Sequence, residues 1–199
     1  MIAKVTAILP MRAGSKRIIN KNIRKINNKL LFEYILNTLI KSKYIDKIIL
    51  NTDINKSYFK NFDNSKIIYF DRKKNLRSNC NINNVILDTL NNFEGEIFLQ
   101  THATNPLLTY STIDKAISFF INNKNKYDSV FSVTRIQKRL WNKNTKPINH
   151  KIQDVPTTQN LSKIYEENSC FYIFTRKSFT SNNNRIGKIP KMYEITKLE

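Results

Sequence analysis

Four cations and no acid fall between Ile8 and Ile23, in the stretch ILPMRAGSKRIINKNI. Arg12, Lys16, Arg17 and Lys21 are spaced so that they can surround an anion from several sides, and hydrogen bonds between ionised groups are the strong ones. Gly14 gives the backbone freedom to turn sharply beside a ligand. The chemistry indicated is the holding of phosphate groups. The segment lacks the Gly-Lys-Ser/Thr ending of an ATPase loop and the three-glycine dinucleotide fingerprint, so neither of those phosphate-binding modes applies. From Arg12 to about Asn28 it reads as one long loop, and long loops in compact domains are commonly functional. A solvated basic loop is the competing reading.

The elements that must position this loop alternate. KVTAILPM, DKIILNTD, KIIYFD, EIFLQTH and DSVFSVTRI read as strands. Between them lie helices at KLLFEYILNTLIKS, KSYFKNF, INNVILDTLNNF and STIDKAISFFINN, the first with Leu31, Tyr34, Ile35, Thr38 and Leu39 on one side. Strand then helix, repeated, predicts an α/β fold with a mostly parallel sheet covered on both faces. Residues 137–168 read as an irregular or hairpin-like excursion. The core resumes with SCFYIF, a helix near RKSF and a last strand KMYEI, while NNKNK and SNNNR read as turns. One domain over residues 1–199 is expected.

In such sheets ligands bind beyond the carboxyl ends of the strands. The groups there are RAGSKR, NTD, DRKKN, QTHATNP and TRIQKR, all of which carry a cation or an amide side chain suited to an anionic nucleotide.

The whole chain is basic, with 34 Lys and Arg against 15 Asp and Glu and a formal net charge of +19. The cations are spread almost evenly, and no basic stretch is interleaved with aromatics as a nucleic-acid surface would be. A general nucleic-acid role is therefore the weaker reading. No apolar run reaches the roughly 20 residues of a membrane-spanning helix, and the first residues read as a strand rather than a cleavable signal, so a cytoplasmic place is expected. Cys170, in an apolar run far from Cys80, reads as a reduced core thiol.

LPMRAGSKRIINKNI resembles the signature of N-acylneuraminate cytidylyltransferases, also called CMP-sialic acid synthetases. NTD at 51–53, QTHATNPLL at 100–108 and TTQNLSKIYEENSCFYIF at 157–174 are similar to later segments of that family, in register. The resemblance implies a three-layer, Rossmann-like nucleotidyltransferase fold and transfer of CMP from CTP to an acidic 2-keto sugar, with release of pyrophosphate. By resemblance Arg12, Lys16 and Lys21 are catalytic cations at the triphosphate, and Gly14, Ser15, Asn22 and Arg72 contact the nucleotide. Gln100 matches a substrate contact, and His102 and Asn105 crowd the same edge; His102, with no second ligand near it in sequence, reads as a hydrogen-bond donor to substrate. Gln159, Tyr165 and Asn168 match substrate positions in the block that in the family builds a homodimer, so 137–168 is expected to be a dimerisation excursion.

For Arg72 an exposed cation is the competing reading, and for Tyr165 plain packing. Thr158 replaces an arginine of the family pattern, Ser169 replaces a glycine, and residues 101–105 differ, so the acid sugar is not fixed. Magnesium is implied as well, held in the family by an Asp-x-Asp past the point where this sequence stops at Glu199. No metal ligand is identified within it, and Asp53 reads as a loop brace. A CTP-binding chain without turnover or a truncated fragment lacking those aspartates is the alternative, with a basic nucleic-acid-binding protein the weaker one.

Overall fold

Residues 4–15, 18–77, 80–154, 156–196 and 198–199 are described by the structure, a computed structural model. Strand β1 (Val5–Ile8) is buried at every position, as a central parallel strand must be. The long first loop follows, and it is not structureless. It contains a 3₁₀ turn (Lys21–Ile23) and a hairpin of β2 (Lys25–Ile26) and β3 (Lys29–Leu30). Asn27 and Asn28 close that hairpin at φ 48° and 65°, the left-handed pair a two-residue turn requires.

Helix α1 (Leu31–Lys41) then leads to β4 (Ile45–Thr52) and, through a 3₁₀ turn, to β5 (Ile67–Asp71). After them come α2 (Ile82–Asn92), β6 (Ile97–Thr101), α3 (Tyr110–Asn123) and β7 (Ser129–Ile136). The chain finishes with β8 (Ile164–Thr175), α4 (Arg176–Asn182) and β9 (Pro190–Glu194). Asn81, Thr109 and Thr175 cap α2, α3 and α4 by accepting backbone N–H bonds from Asn83, Thr112 and Ser178.

The strand order is β5-β4-β1-β6-β8-β7-β9, with β8 antiparallel to both neighbours and the other six strands parallel. Alternate residues serve two cores. Val5, Ala7, Leu9, Leu99 and Ile173 pack with Phe32, Ile35, Leu36 and Leu39 of α1 and with Ile113, Ile117 and Phe120 of α3. Ile8, Phe98, Tyr172 and Phe174 pack on the other face with Ile86 and Leu90 of α2 and Phe179 of α4. This is the expected three-layer α/β sandwich.

Three expectations are corrected in detail. The buried face of α1 is centred one position over: Phe32 and Leu36 are buried, while Tyr34 and Thr38 sit at its edge and donate to Ile26 O and Leu108 O. Ser181 and Asn182 of the expected turn belong to α4, which ends at Asn183 in the left-handed conformation, φ 49°. Residues 164–168 of the excursion are not outside the sheet: they begin β8 and pair with β7, Tyr165 opposite Arg135. The excursion is thus the long connection of a β7–β8 hairpin. Within it Asn149 stands in for backbone, donating to Lys138 O at 2.8 Å and accepting from Leu140 N at 2.9 Å.

Candidate functional site

β1 feeds toward β4 on one side and β6 toward β7 on the other, so the loops leaving their carboxyl ends diverge. Such a point of divergence opens a crevice. Here it is a cleft of about 590 Å³ whose lining includes Arg12, Ser15, Lys21, Asn22, Arg72, Arg77 and His102. Its other wall is apolar, from Leu76, Cys80, Ile82, Val85 and Ala103. Among the described residues no carboxylate lines it. Four cations facing an apolar wall suit a ligand with an anionic tail and a flat, weakly polar head.

The first loop is held in place by backbone and side-chain bonds. Met11 N donates to Asn51 O at 3.0 Å and Ala13 N donates to Asp53 Oδ1 at 2.8 Å. Asn22, buried, donates from Nδ2 to Arg12 O at 3.0 Å, so the 3₁₀ turn clasps the segment that carries Arg12. Asp53 is therefore the loop brace that its position suggested.

Arg72, directly after β5, is only 5 % exposed. Its Nε donates to Asn51 Oδ1 at 2.9 Å and its Nη2 to Asn51 O at 2.8 Å. Asn51 is itself fixed by donating to Thr89 Oγ1 at 3.0 Å. Burial pushes the Arg72 guanidinium below the ordinary arginine value, and the charge of Asp53 works the other way. The exposed-cation reading of Arg72 is thereby excluded.

His102 follows β6 and lines the cleft, while Gln100 is fully buried behind it. Gln100 Oε1 accepts from Arg185 Nη1 at 2.6 Å, and its Nε2 donates to Thr101 O at 2.8 Å and lies 3.2 Å from His102 Nε2. A direct substrate contact by the Gln100 side chain would require it to surrender one of these partners. Burial, Arg185 and Lys21 push His102 down to about 4, so the imidazole is neutral at pH 7.

The structure brings Arg12, Ser15, Lys21, Asn22, Arg72 and His102 to one cleft. Lys16 lies outside the described residues. Gly14 borders open space, since a Cβ there meets nothing within 4 Å, and the chain bends beside it at Ala13 without a left-handed φ at the glycine. Asn105 ties its loop to β8, donating to Ser169 O at 3.2 Å and Cys170 O at 3.1 Å. Asn168 donates to Thr134 Oγ1 at 2.8 Å. Gln159 lies on an exposed 3₁₀ turn (Thr158–Asn160), and neither it nor Tyr165 is in the cleft wall of this chain. Ser169, where the resemblance expects glycine, keeps a glycine-like φ of 59°.

Sequence reasoning missed Arg77, Arg185 and the apolar wall from Leu76 to Val85. Arg77 Nε donates to Arg72 O at 3.1 Å. The start of α2 beyond the carboxyl end of β5 is a signal that could have found the wall; Arg185, in an Asn-rich turn, offers none.

Magnesium is usually held by one or two carboxylates together with phosphate oxygens. Among the described residues no group of three or more His, Cys, Asp or Glu could hold a metal ion. Asp53 already uses one oxygen on Ala13. The described residues do not fit a preassembled magnesium site. No helix among them is long and apolar enough to cross a membrane.

The chain is 29% identical over 189 residues to the pseudaminic acid cytidylyltransferase of Campylobacter jejuni, covering 88% of this chain and 80% of that protein. It is 26% identical over 203 residues to post-translational flagellin modification protein B of Campylobacter coli, covering 94% and 84%. A solved CMP:2-keto-3-deoxy-manno-octonic acid synthetase complexed with CTP superposes at a TM-score of 0.72 with 12% identity, over 98% of this chain and 90% of that one, a likeness of fold. Residues 6–198 match the family model described as Cytidylyltransferase, and the chain belongs to that cytidylyltransferase family.

Proposed function

We propose that this chain transfers CMP from CTP to an acidic 2-keto sugar of the nonulosonic type and releases pyrophosphate. The observation that carries this reading is the joining, in one cleft at the β1/β6 divergence, of Arg12, Lys21 and Arg72 with an apolar wall from Leu76, Ile82 and Val85. The cytidylyltransferase family and the relative named for pseudaminic acid support the same choice.

The anomeric hydroxyl of the sugar attacks the α-phosphorus, and charge grows on the oxygen that bridges to the leaving pyrophosphate. Arg12 and Lys21, half-buried on a braced loop, are fixed cations for that charge. Preorganised cations stabilise such a transition state because they need no rearrangement as the charge develops. Lys16 is assigned to the same task by its place in the loop. Arg72 keeps three unspent N–H donors, five less the two given to Asn51, for the nucleotide. His102 is a neutral donor at the same edge.

Trp141, Ile148 and Ile152 are exposed on the β7–β8 connection and support a homodimer built there, with Gln159, Tyr165 and Asn168 serving its substrate sites. Use of CTP supports a cytoplasmic place for the chain. Incubation with CTP, magnesium and a panel of acidic 2-keto sugars, followed by mass spectrometry, tests the reading. A CMP conjugate of one sugar, absent with Arg12→Ala, is the expected product; no conjugate of any sugar with CTP contradicts it.

A further inference from the structure

The amide of Gln100 is oriented by two neighbours that leave it no choice. A guanidinium only donates, so the atom facing Arg185 Nη1 at 2.6 Å is the oxygen, Oε1. A backbone carbonyl only accepts, so the atom facing Thr101 O at 2.8 Å is the nitrogen, Nε2. The second N–H of that nitrogen then points to His102 Nε2, 3.2 Å away. A ring nitrogen that accepts carries no proton, and a neutral imidazole must then carry it on Nδ1. Among the described residues nothing accepts from Nδ1, and the ring lines the cleft.

Arg185 is fixed in turn. Its guanidinium lies 3.6 Å from the centre of the Tyr172 ring, and Nη2 is 3.9 Å from Glu167 Oε1, which accepts from Tyr172 Oη. The left-handed Asn183 ends α4 and turns the chain so that Arg185 follows within two residues. Asp128 then pins the rest of that turn, accepting from Lys188 N at 2.7 Å and Ile189 N at 3.1 Å.

We infer that Arg185 and Gln100 are positioning residues that hold His102 as its Nδ1–H tautomer, so that the imidazole offers one fixed neutral N–H to an anionic oxygen of the bound substrate. That oxygen belongs either to a nucleotide phosphate or to the carboxylate of the acid sugar, and only this last part rests on the proposed transferase reading. A protonated ring would set Nε2–H against the Gln100 N–H, donor to donor, which agrees with the low His102 value of about 4.

Nitrogen-15 NMR of the ligand-free chain tests the tautomer without any assumption about the reaction. The protein has two histidines, and a His150→Asn variant assigns the signals. The expected spectrum has the proton of His102 on Nδ1, with Nε2 bare; a proton on Nε2 in the wild type overturns the proposal. Gln100→Glu substitutes an acceptor for the donor, so it should move the proton to Nε2, with Arg185 still able to pair with the new carboxylate. Arg185→Lys should keep the wild-type tautomer. If Gln100→Glu does not fold, the wild-type spectrum still decides.

CTP and then an acid sugar are added to the labelled protein in turn. A shift of the Nδ1 proton with CTP alone identifies the phosphate as acceptor, and a shift that needs the sugar identifies the carboxylate. No shift with either removes the donor role. The KM for the ligand so identified should rise about tenfold in Gln100→Glu, as for one lost hydrogen bond, with kcat less affected. A correct tautomer in a chain that makes no CMP conjugate would leave the positioning intact and overturn the transferase reading instead.

Discussion

Asn51 and Arg72 form a buried pair of which Arg72 lines the cleft, joined by Arg72 Nε to Asn51 Oδ1 at 2.9 Å and by Arg72 Nη2 to Asn51 O at 2.8 Å. The pair connects the end of β4 to the residue after β5, and so turns sheet register into the position of a cation. Asn51→Ala removes the side-chain acceptor and leaves a buried guanidinium partly unpaired. We expect a loss of about 2 kcal/mol in urea unfolding. CTP affinity should fall at least about tenfold by calorimetry. Arg72→Met should lower CTP affinity as well, while costing less stability than Asn51→Ala; equal CTP binding by both variants and wild type would remove Arg72 from the nucleotide site.

Acid should expose His102. Its value in the fold, about 4, lies below the ordinary 6.5, so between these the unfolded chain binds the extra proton. The contribution to stability is complete above pH 6.5 and is lost as pH falls toward 4. Between pH 6.5 and 5 the loss should be about 2 kcal/mol, and His102→Gln, which cannot titrate, should flatten it in denaturant melts taken across that range.

The two cysteines should differ in reactivity. Cys80 is half-buried in the apolar wall of the cleft, whereas Cys170 is 4 % exposed and its thiol is pushed up to about 11 by burial, with the Glu199 charge adding to it. Iodoacetamide should label Cys80 and spare Cys170 in the native protein, read by mass spectrometry. CTP should slow the labelling of Cys80; labelling unchanged by CTP would place the nucleotide elsewhere.

Ser169 holds a left-handed φ of 59° and a bond of 3.0 Å between its Oγ and Tyr172 Oη. Relief of the backbone conformation contributes about 1 kcal/mol or more in favour of glycine, and loss of one hydroxyl bond opposes it. Ser169→Gly should therefore be neutral to slightly stabilising in thermal melts, and Ser169→Val, β-branched at a left-handed φ, should destabilise by more than about 1 kcal/mol.

Much of the fold was legible because its signals are local. VTAI and IILNT are apolar runs of strand length, and the stretches read as helices at INNVILDTLNNF and STIDKAISFFINN overlap α2 and α3. The residues after β1, β5 and β6 were found because a parallel sheet puts ligands at its carboxyl edge. The direction of β8 and its early start at Ile164 were hidden, since both are set by pairing with β6 and β7 rather than by sequence pattern. The same holds for Arg185: only the fold carries it across 85 positions to Gln100. Gln100 itself was named, but as a contact, because sequence cannot show that three neighbours already occupy its amide.

Pyrophosphate release by the full chain, with magnesium, a nonulosonic acid and CTP, ATP, GTP or UTP in turn, tests the central claim most directly. Release with CTP alone, dependent on the sugar and reduced at least about a hundredfold in Arg12→Ala, is the predicted result, of the size expected for loss of one fixed cation at the transition state. Release that ignores the identity of the nucleotide, or that survives loss of Arg12, would contradict it.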